Sequence, residues 1–153
     1  DRIDLADDNS SARVVDYKTG KPRFDENDFA GGTNLQLPLY IIAASQIVKN
    51  LKPKPKVEYA EYLHLSEKGK KRHIRFSTTE LEARWSELEE ILITICEGIE
   101  NGCFVALPGE LCWYCDYSDV CGNSVEYIFR RKITDARIAP LLKMRGFSLG
   151  EER

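Results

Sequence analysis

The sequence predicts an α/β fold in which a mixed β-sheet is flanked by helices. Short β-rich segments and segments of helical periodicity follow one another in the order strand, strand, helix, hairpin, long helix. The 153 residues suit a single domain. A hydrophobic fraction of 42% and a charged fraction of 31% are those of an ordinary globular protein. One domain over residues 1–153 is therefore expected.

The first half of the chain is predicted to form two strands and a helix. Strands are expected at 1–5 and 11–18, followed by a polar, glycine-rich loop at 20–33. Thr33 and Gln36 have the spacing of a capping box, so we expect a helix to begin there.

The second half is predicted to continue with a hairpin and a long helix. A strand is expected at 57–65, a turn at 67–70, a return strand at 72–76 and short terminal helices at 123–131 and 135–145. Thr79 and Glu82 indicate a second capping box. The helix after it has one apolar face, formed by Leu81, Trp85, Leu88, Leu92, Ile95 and Ile99.

Charge and hydropathy narrow the possible classes of protein. The net charge of −3 argues against tight autonomous binding of nucleic acid, and Lys52, Lys54 and Lys56 are expected to lie in a solvated linker. No apolar run approaches the roughly 18 residues of a membrane span, and we expect no membrane partner. No segment resembles a signal peptide, so a cytoplasmic location is expected. The chain opens on Asp1 without Met, which suggests a fragment lacking its N-terminal part.

The strongest chemical motif is Asp16-Tyr17-Lys18 at the end of the second strand. Alternate side chains of a strand share a face, so Asp16 and Lys18 project together and Tyr17 points away. The carboxylate can hold a divalent cation, while the ammonium orients water or neutralises a phosphate. Taken alone, such a pair is more typical of a solvated strand edge.

The preceding strand offers a second carboxylate from either Asp1 or Asp4, which lie on opposite faces. Mg²⁺ suits such a site, because it accepts one or two carboxylates, keeps several waters and takes phosphate oxygens.

Three segments together resemble a known family. They are Asp1–Asp4, Val14–Gly20 and Gln36–Tyr40, and they resemble the PD-(D/E)XK nuclease superfamily, more narrowly its RecB/AddB-like branch. The resemblance covers nearly all of residues 1–121 and implies a restriction-endonuclease-like fold.

The resemblance implies roles for individual residues. Asp1 and Asp16 would bind Mg²⁺ or Mn²⁺, joined by the backbone carbonyl of Tyr17, and Lys18 would be the catalytic lysine. Asp4 matches a recurrent acid of less clear role.

Gln36 and Tyr40 would face the same site and contact the DNA backbone or the catalytic lysine. Their spacing by itself proves only a shared helix face. Gln36 could instead complete the cap, and Tyr40 could belong to the core.

A cysteine triplet, Cys112, Cys115 and Cys121, forms a second motif within the segment 112–121. Zinc and iron–sulfur sites as a rule use four ligands. The resemblance implies a 4Fe–4S cluster whose fourth cysteine would precede Asp1 and is missing from this chain.

Two other cysteines could supply the fourth ligand. Cys103 is a better substitute than Cys96, which is expected to be buried on the long helix. The alternative is three reduced thiols beside an aromatic patch of Trp113, Tyr114 and Tyr117.

The resemblance therefore implies a metal-dependent DNA nuclease, the exonuclease domain of a helicase–nuclease in recombination or repair. DNA and a helicase subunit, or a fused helicase-like domain, are the implied partners. A catalytically inactive member of the fold, acting in DNA binding or assembly, is the main alternative. A small zinc-binding domain would leave Asp16, Lys18 and Gln36 unexplained.

Overall fold

A computed structural model describes residues 1–20, 29–66 and 72–147 of the chain. It divides into two compact units, Asp1–Leu88 and Glu89–Arg153. Each unit is considered by itself. In the described part of the chain, no helix combines the length and the apolar character needed to cross a membrane.

The first unit contains a four-stranded mixed sheet, as predicted. Its strands are β1 (Arg2–Leu5), β2 (Ser11–Lys18), β3 (Lys56–His64) and β4 (His73–Ser77), in spatial order β1-β2-β3-β4. The β1–β2 and β3–β4 pairs are antiparallel, whereas β2 and β3 are parallel. The predicted turn at 67–70 and most of the predicted loop at 20–33 lie outside the described residues.

The crossover between the two parallel strands carries helix α1, Gln36–Val48. The predicted capping box at Thr33 is wrong, because the helix begins after Leu35 without a side-chain cap. Gly31 and Gly32 take positive φ angles of 55° and 86°. The chain turns here so that the Thr33 hydroxyl donates to the carbonyl of Ala30, 2.7 Å away.

Two helices follow β4, and they differ from the predicted single helix. They are α2 (Thr78–Ala83) and α3 (Trp85–Glu100), with a break at Arg84. The capping box is formed by Ser77 and Glu80 rather than by Thr79 and Glu82. Of the predicted apolar face, Leu81 and Leu88 are buried, whereas Trp85 and Ile99 are exposed, and Ile91, which was not part of that face, is buried.

The core of the first unit lies between the sheet and helices α1 and α2. Both helices contact β3 and β4, and they contact each other. The rings of Phe29 and Phe76 pack 5.8 Å apart at the centre of this core. Its other buried side chains include Ala12, Val14, Leu37, Ile41, Ala44, Ala60, Ile74 and Leu81.

The other face of β3 buries a carboxylate. Glu61 is only 1% exposed and accepts from Arg75 Nε at 3.0 Å and from His73 Nδ1 at 3.1 Å. Arg13 on β2 approaches Glu61 at 3.5 Å and pairs with Asp4 on β1 at 3.0 Å. Burial by itself raises the pKa of Glu61, but the hydrogen bonds from Arg75 and His73 outweigh burial and hold the pKa below its ordinary value. This charged network therefore links all four strands.

The second unit is helical where it is described. Its helices after α3 are α4 (Ser118–Cys121), α5 (Val125–Lys132) and α6 (Ala139–Met144), with short 3-10 turns at Glu110–Tyr114, Gly122–Ser124 and Ala136–Ile138. The two predicted terminal helices are thus confirmed. Phe129, Ile138 and Leu142 form a small core, and the Phe129 and Phe147 rings lie 5.3 Å apart.

Candidate active site

Strand β2 places Asp16 and Lys18 on one face, as the alternation of the sequence predicts. Asp16 is buried and Lys18 is half-buried, and Lys18 Nζ lies 2.8 Å from Asp16 Oδ2. The parallel pairing sets Tyr62 beside Asp16 and His64 beside Lys18. A carboxylate and an ammonium are therefore held together at the carboxyl end of β2.

One oxygen of Asp16 is buried without satisfying its hydrogen-bonding capacity. Its Oδ2 accepts no hydrogen bond from the described residues, although it forms the close ion pair with Lys18. A buried carboxylate oxygen normally receives donors or coordinates a metal ion. This oxygen consequently fits the position of a metal ligand.

The first turn of α1 completes the site through a chain of hydrogen bonds. Lys18 Nζ donates to Gln36 Oε1 at 2.9 Å, and Gln36 Nε2 donates to the Tyr40 hydroxyl at 2.8 Å. Tyr40 in turn donates to Asp1 Oδ2 at 2.6 Å. Asp1 directly precedes Arg2, which pairs with Val15, the neighbour of Asp16. All five residues of the expected catalytic set therefore lie in one connected group.

The sequence left open whether Asp1 or Asp4 supplies the second carboxylate of the site, and the structure places these two side chains in different surroundings. Asp4 pairs with Arg2 at 2.8 Å and with Arg13 at 3.0 Å on the opposite face of the sheet. Asp1, in contrast, reaches the group around Lys18 through Tyr40. The side chain of Tyr17 points away from the site, with the Arg2 guanidinium 5.6 Å from its ring, and a role for its backbone carbonyl stays a prediction.

Sequence reasoning missed Tyr62 as a neighbour of the site. Lys18 Nζ lies 4.8 Å from the centre of the Tyr62 ring, a distance that permits a cation–π contact. Burial, with the nearby Asp16 and Tyr40, raises the pKa of Tyr62 to about 12. Tyr62 is therefore a neutral phenol at physiological pH. Its place on the strand was visible in the alternation of residues 57–65, but the pairing partner of that strand was not.

His64 holds the chain at the end of the two parallel strands. It is buried, and its Nδ1 lies 2.9 Å from the carbonyl oxygen of Gly20. Because a carbonyl oxygen only accepts, Nδ1 carries the proton. His64 thereby fixes the chain just beyond Lys18.

The cysteine triplet is not assembled into a binding site in the described residues. Cys112 and Cys115 are exposed and Cys121 is partly buried, all as free thiols. No group of three or more His, Cys, Asp or Glu side chains in this part of the chain is arranged to hold a metal ion. The iron–sulfur cluster therefore stays a prediction.

The other two cysteines are placed differently from each other. Cys96 is exposed, so the prediction that it is buried is wrong: it lies off the side of α3 that carries the buried Leu88 and Ile91. Cys103 packs against the small core of the second unit, with its Sγ 3.6 Å from the Arg137 carbonyl oxygen.

The mixed sheet and the connected acid–lysine group define a nuclease of the PD-(D/E)XK type. The profile of the PD-(D/E)XK nuclease superfamily matches residues 1–122, and the chain belongs to this family. This confirms the resemblance inferred from the sequence motifs.

The relatives to which the chain is similar share one name. The chain is 40% identical over 67 residues to the B subunit of the ATP-dependent helicase/deoxyribonuclease of Streptococcus uberis, and 43% identical over 67 residues to that of Streptococcus agalactiae. The Streptococcus mutans protein of the same name is also 43% identical over 67 residues. Each match covers 44% of this chain and 6% of the relative. No solved structure matches the chain significantly.

Proposed function

We propose that the chain is a metal-dependent deoxyribonuclease that hydrolyses phosphodiester bonds in DNA. The observation that carries this proposal is the continuous group running from Asp16 through Lys18, Gln36 and Tyr40 to Asp1. A solvated strand-edge pair would need neither the buried carboxylate nor the two side chains supplied by α1.

The residues of the site fit a divalent cation. Asp16 offers a buried oxygen that accepts no hydrogen bond from the described residues beyond its ion pair with Lys18, and Asp1 offers a second carboxylate, held by Tyr40 in the same connected group. With the Tyr17 carbonyl, these are the oxygen ligands that Mg²⁺ and Mn²⁺ prefer. When bound there, the cation would polarise the scissile phosphate and lower the pKa of a bound water.

Lys18 has the properties required of the residue that orients water and stabilises developing negative charge. Its ammonium is held by Asp16 and by Gln36 Oε1, so its position is fixed before substrate arrives. Tyr62 covers one side of the ammonium. A fixed ammonium needs little reorganisation when charge develops on the phosphate, which is the condition for electrostatic catalysis.

The cellular role is proposed from the relatives. Their names describe ATP-dependent helicase/deoxyribonuclease subunits, which suggests that this domain works with a helicase partner or a fused helicase-like region during DNA end processing in the cytoplasm. A helicase would also supply DNA affinity that a chain of net charge −3 lacks. A 4Fe–4S cluster at Cys112, Cys115 and Cys121 is part of the same proposal.

The decisive experiment measures cleavage of linear single- and double-stranded DNA with Mn²⁺. Lys18→Ala is expected to lower the cleavage rate by about 100- to 1,000-fold, because it removes the fixed ammonium. Lys54→Ala, which removes an exposed loop lysine, is the matched control and should cleave at the wild-type rate. A folded Lys18→Ala variant that cleaves as fast as the control would contradict the proposal.

The alternative of an inactive DNA-binding or assembly module is favoured by one observation. The described residues hold no group of three acids, histidines or cysteines arranged for a metal ion. Folded wild-type protein that binds DNA but does not cleave it with Mn²⁺ or Mg²⁺ would establish this alternative.

A further inference from the structure

The C-terminal helices carry a charge opposite to that of the rest of the chain. Residues 125–147 contain six basic and two acidic side chains, a net charge of +4. Because the whole chain has a net charge of −3, the remainder carries −7. The six basic residues are Arg130, Arg131, Lys132, Arg137, Lys143 and Arg145.

Two of these six side chains are engaged in ion pairs. Arg137 pairs with Asp135 at 2.6 Å, and this interaction holds the pKa of that carboxyl at about 2. Lys143 lies 3.4 Å from Glu90. The Nε of a third, Arg145, is buried and has no hydrogen-bond partner among the described residues, so this atom is not presented to solvent.

The remaining three, Arg130, Arg131 and Lys132, are consecutive in α5, and we name them the α5 cations. All three are exposed, and the ion pairs found among the described residues include none of them. Cations at a helix C-terminus do stabilise the helix through its dipole. That effect explains their position in the last turn but leaves their charge without a counter-ion.

The packing of α5 places Arg131, the central α5 cation, on the side of the helix away from the core. Phe129 is buried in the small core against Ile138 and Leu142. With 3.6 residues per turn, Tyr127 and Arg131 lie on the side of the helix away from Phe129. The Arg131 guanidinium is 5.9 Å from the Tyr127 ring, and Tyr127 is 62% exposed. The outer ridge of α5 is thus an arginine beside an exposed aromatic ring, flanked by two more cations.

We propose that α5 is a DNA-binding surface on which the α5 cations contact phosphates of the nucleic-acid backbone. The proposal rests on the nuclease function, since it supplies the substrate affinity that the acidic remainder of the chain cannot. DNA is the proposed partner because its phosphate charge is complementary to the three adjacent cations. The exposed Tyr127 adds a ring suited to contact a base or sugar.

The test measures binding of fluorescein-labelled single- and double-stranded DNA by fluorescence anisotropy, in EDTA so that no cleavage occurs. Replacing the three α5 cations together (Arg130→Ala, Arg131→Ala and Lys132→Ala) is expected to weaken binding about tenfold or more. The slope of log K against log salt should also fall by about 2–3, because each phosphate that is no longer neutralised lowers it by about one.

The matched control removes the same charge elsewhere, with Lys52→Ala and Lys54→Ala in the exposed loop before β3 and Lys56→Ala at the exposed first residue of that strand. It should bind within about twofold of wild type, since no phosphate contact is assigned to that loop. A charge-preserving triple variant (Arg130→Lys, Arg131→Lys and Lys132→Arg) should retain most of the affinity. Circular dichroism of all three variants establishes that they are folded.

Equal loss of affinity in the α5 variant and in the loop control would overturn the proposal, because net charge alone would then explain it. Retained DNA binding in the α5 variant, with loss of binding to phosphatidylserine vesicles, would overturn it in favour of a lipid surface. The proposed nuclease function is tested separately by Lys18→Ala, which should bind DNA normally. DNA binding through α5 without cleavage would therefore reject only the nuclease.

Discussion

Gln36 is the residue that joins the two ends of the candidate site. Its carbonyl oxygen accepts from Lys18, and its amide nitrogen donates to Tyr40, which contacts Asp1. Only a side chain with both a donor and an acceptor can make these two bonds at once. We therefore propose that Gln36 is a positioning residue that acts through Lys18 and Tyr40.

We expect Gln36→Ala to lower the maximal cleavage rate about tenfold or more while DNA affinity stays near wild type. Lys18 would keep its ion pair with Asp16 but no longer have its second fixed partner. Single-turnover cleavage with saturating DNA measures the first quantity, and anisotropy in EDTA measures the second. Gln46→Ala, on the exposed side of the same helix, is the control. A parallel loss of both quantities in Gln36→Ala would instead indicate a role in binding DNA.

The sequence predicted which residues belong to this site better than it predicted the contacts between them. Asp16 and Lys18 follow from strand alternation, and Gln36 and Tyr40 follow from the resemblance of the motifs. Tyr62 was missed because it reaches Lys18 only through the parallel pairing of β2 with β3. Pairing between strands separated by a helix depends on tertiary packing, which no local pattern encodes.

At the scale of the element, helix α2 begins with a capping box formed by Ser77 and Glu80. Ser77 Oγ accepts from the Glu80 amide at 3.1 Å, and Glu80 returns a bond by accepting from the Ser77 amide at 2.7 Å. Thr79 has the right residue type, but by that position the chain is already helical. The sequence therefore contains two overlapping capping-box patterns. The one at Ser77 is formed because β4 ends at Ser77 and the helix begins directly after it.

Ser77→Ala is expected to reduce the free energy of unfolding by about 1 kcal/mol, because one amide of the first turn loses its acceptor. Urea unfolding followed by circular dichroism measures the change. Thr79→Ala replaces an exposed residue within the first turn of the helix and should change stability by less than about 0.5 kcal/mol. The reverse ranking of the two variants would show that the helix begins at the cap expected from sequence.

At the scale of the whole molecule, the sheet is tied together by charge as well as by its core. The network around Glu61 reaches Arg13 on β2 and both His73 and Arg75 on β4, and Arg13 continues to Asp4 on β1. Replacing the central carboxylate therefore affects the interactions between all the strands.

The lowered pKa of Glu61 fixes the direction of its pH dependence. Its stabilising contribution is complete above the ordinary value of 4.5 and is lost as the pH falls below 4.5 through the lowered folded pKa. Glu61→Gln should reduce the free energy of unfolding at pH 7 by about 1–3 kcal/mol. It should also flatten the acid side of the stability profile.

The control for this change is Glu58→Gln, at an exposed position of the same strand. Urea unfolding of both variants and wild type between pH 3 and pH 7, roughly the range in which carboxylates titrate, provides the comparison. An acid limb that is equally steep in wild type and in Glu61→Gln would show that other carboxylates govern the pH dependence.

The sequence predicted the overall class but not the division of the chain. The order of strands and helices and the match over residues 1–122 agree on a PD-(D/E)XK fold. The break at Arg84 and the separate core around Leu142 were not foreseen, because continuous helical periodicity conceals both.

The parallel pairing of β2 with β3 also has a consequence for the order of folding. β1 and β2 are separated by only a short turn, so they can form a hairpin early. Tyr62 and His64 lie more than 40 positions further along the chain than Asp16 and Lys18, and closing that loop is slower. During refolding from denaturant, Lys18 should therefore be exposed on a nascent hairpin first. Recovery of cleavage should follow the slowest phase of sheet formation rather than the first appearance of β-structure.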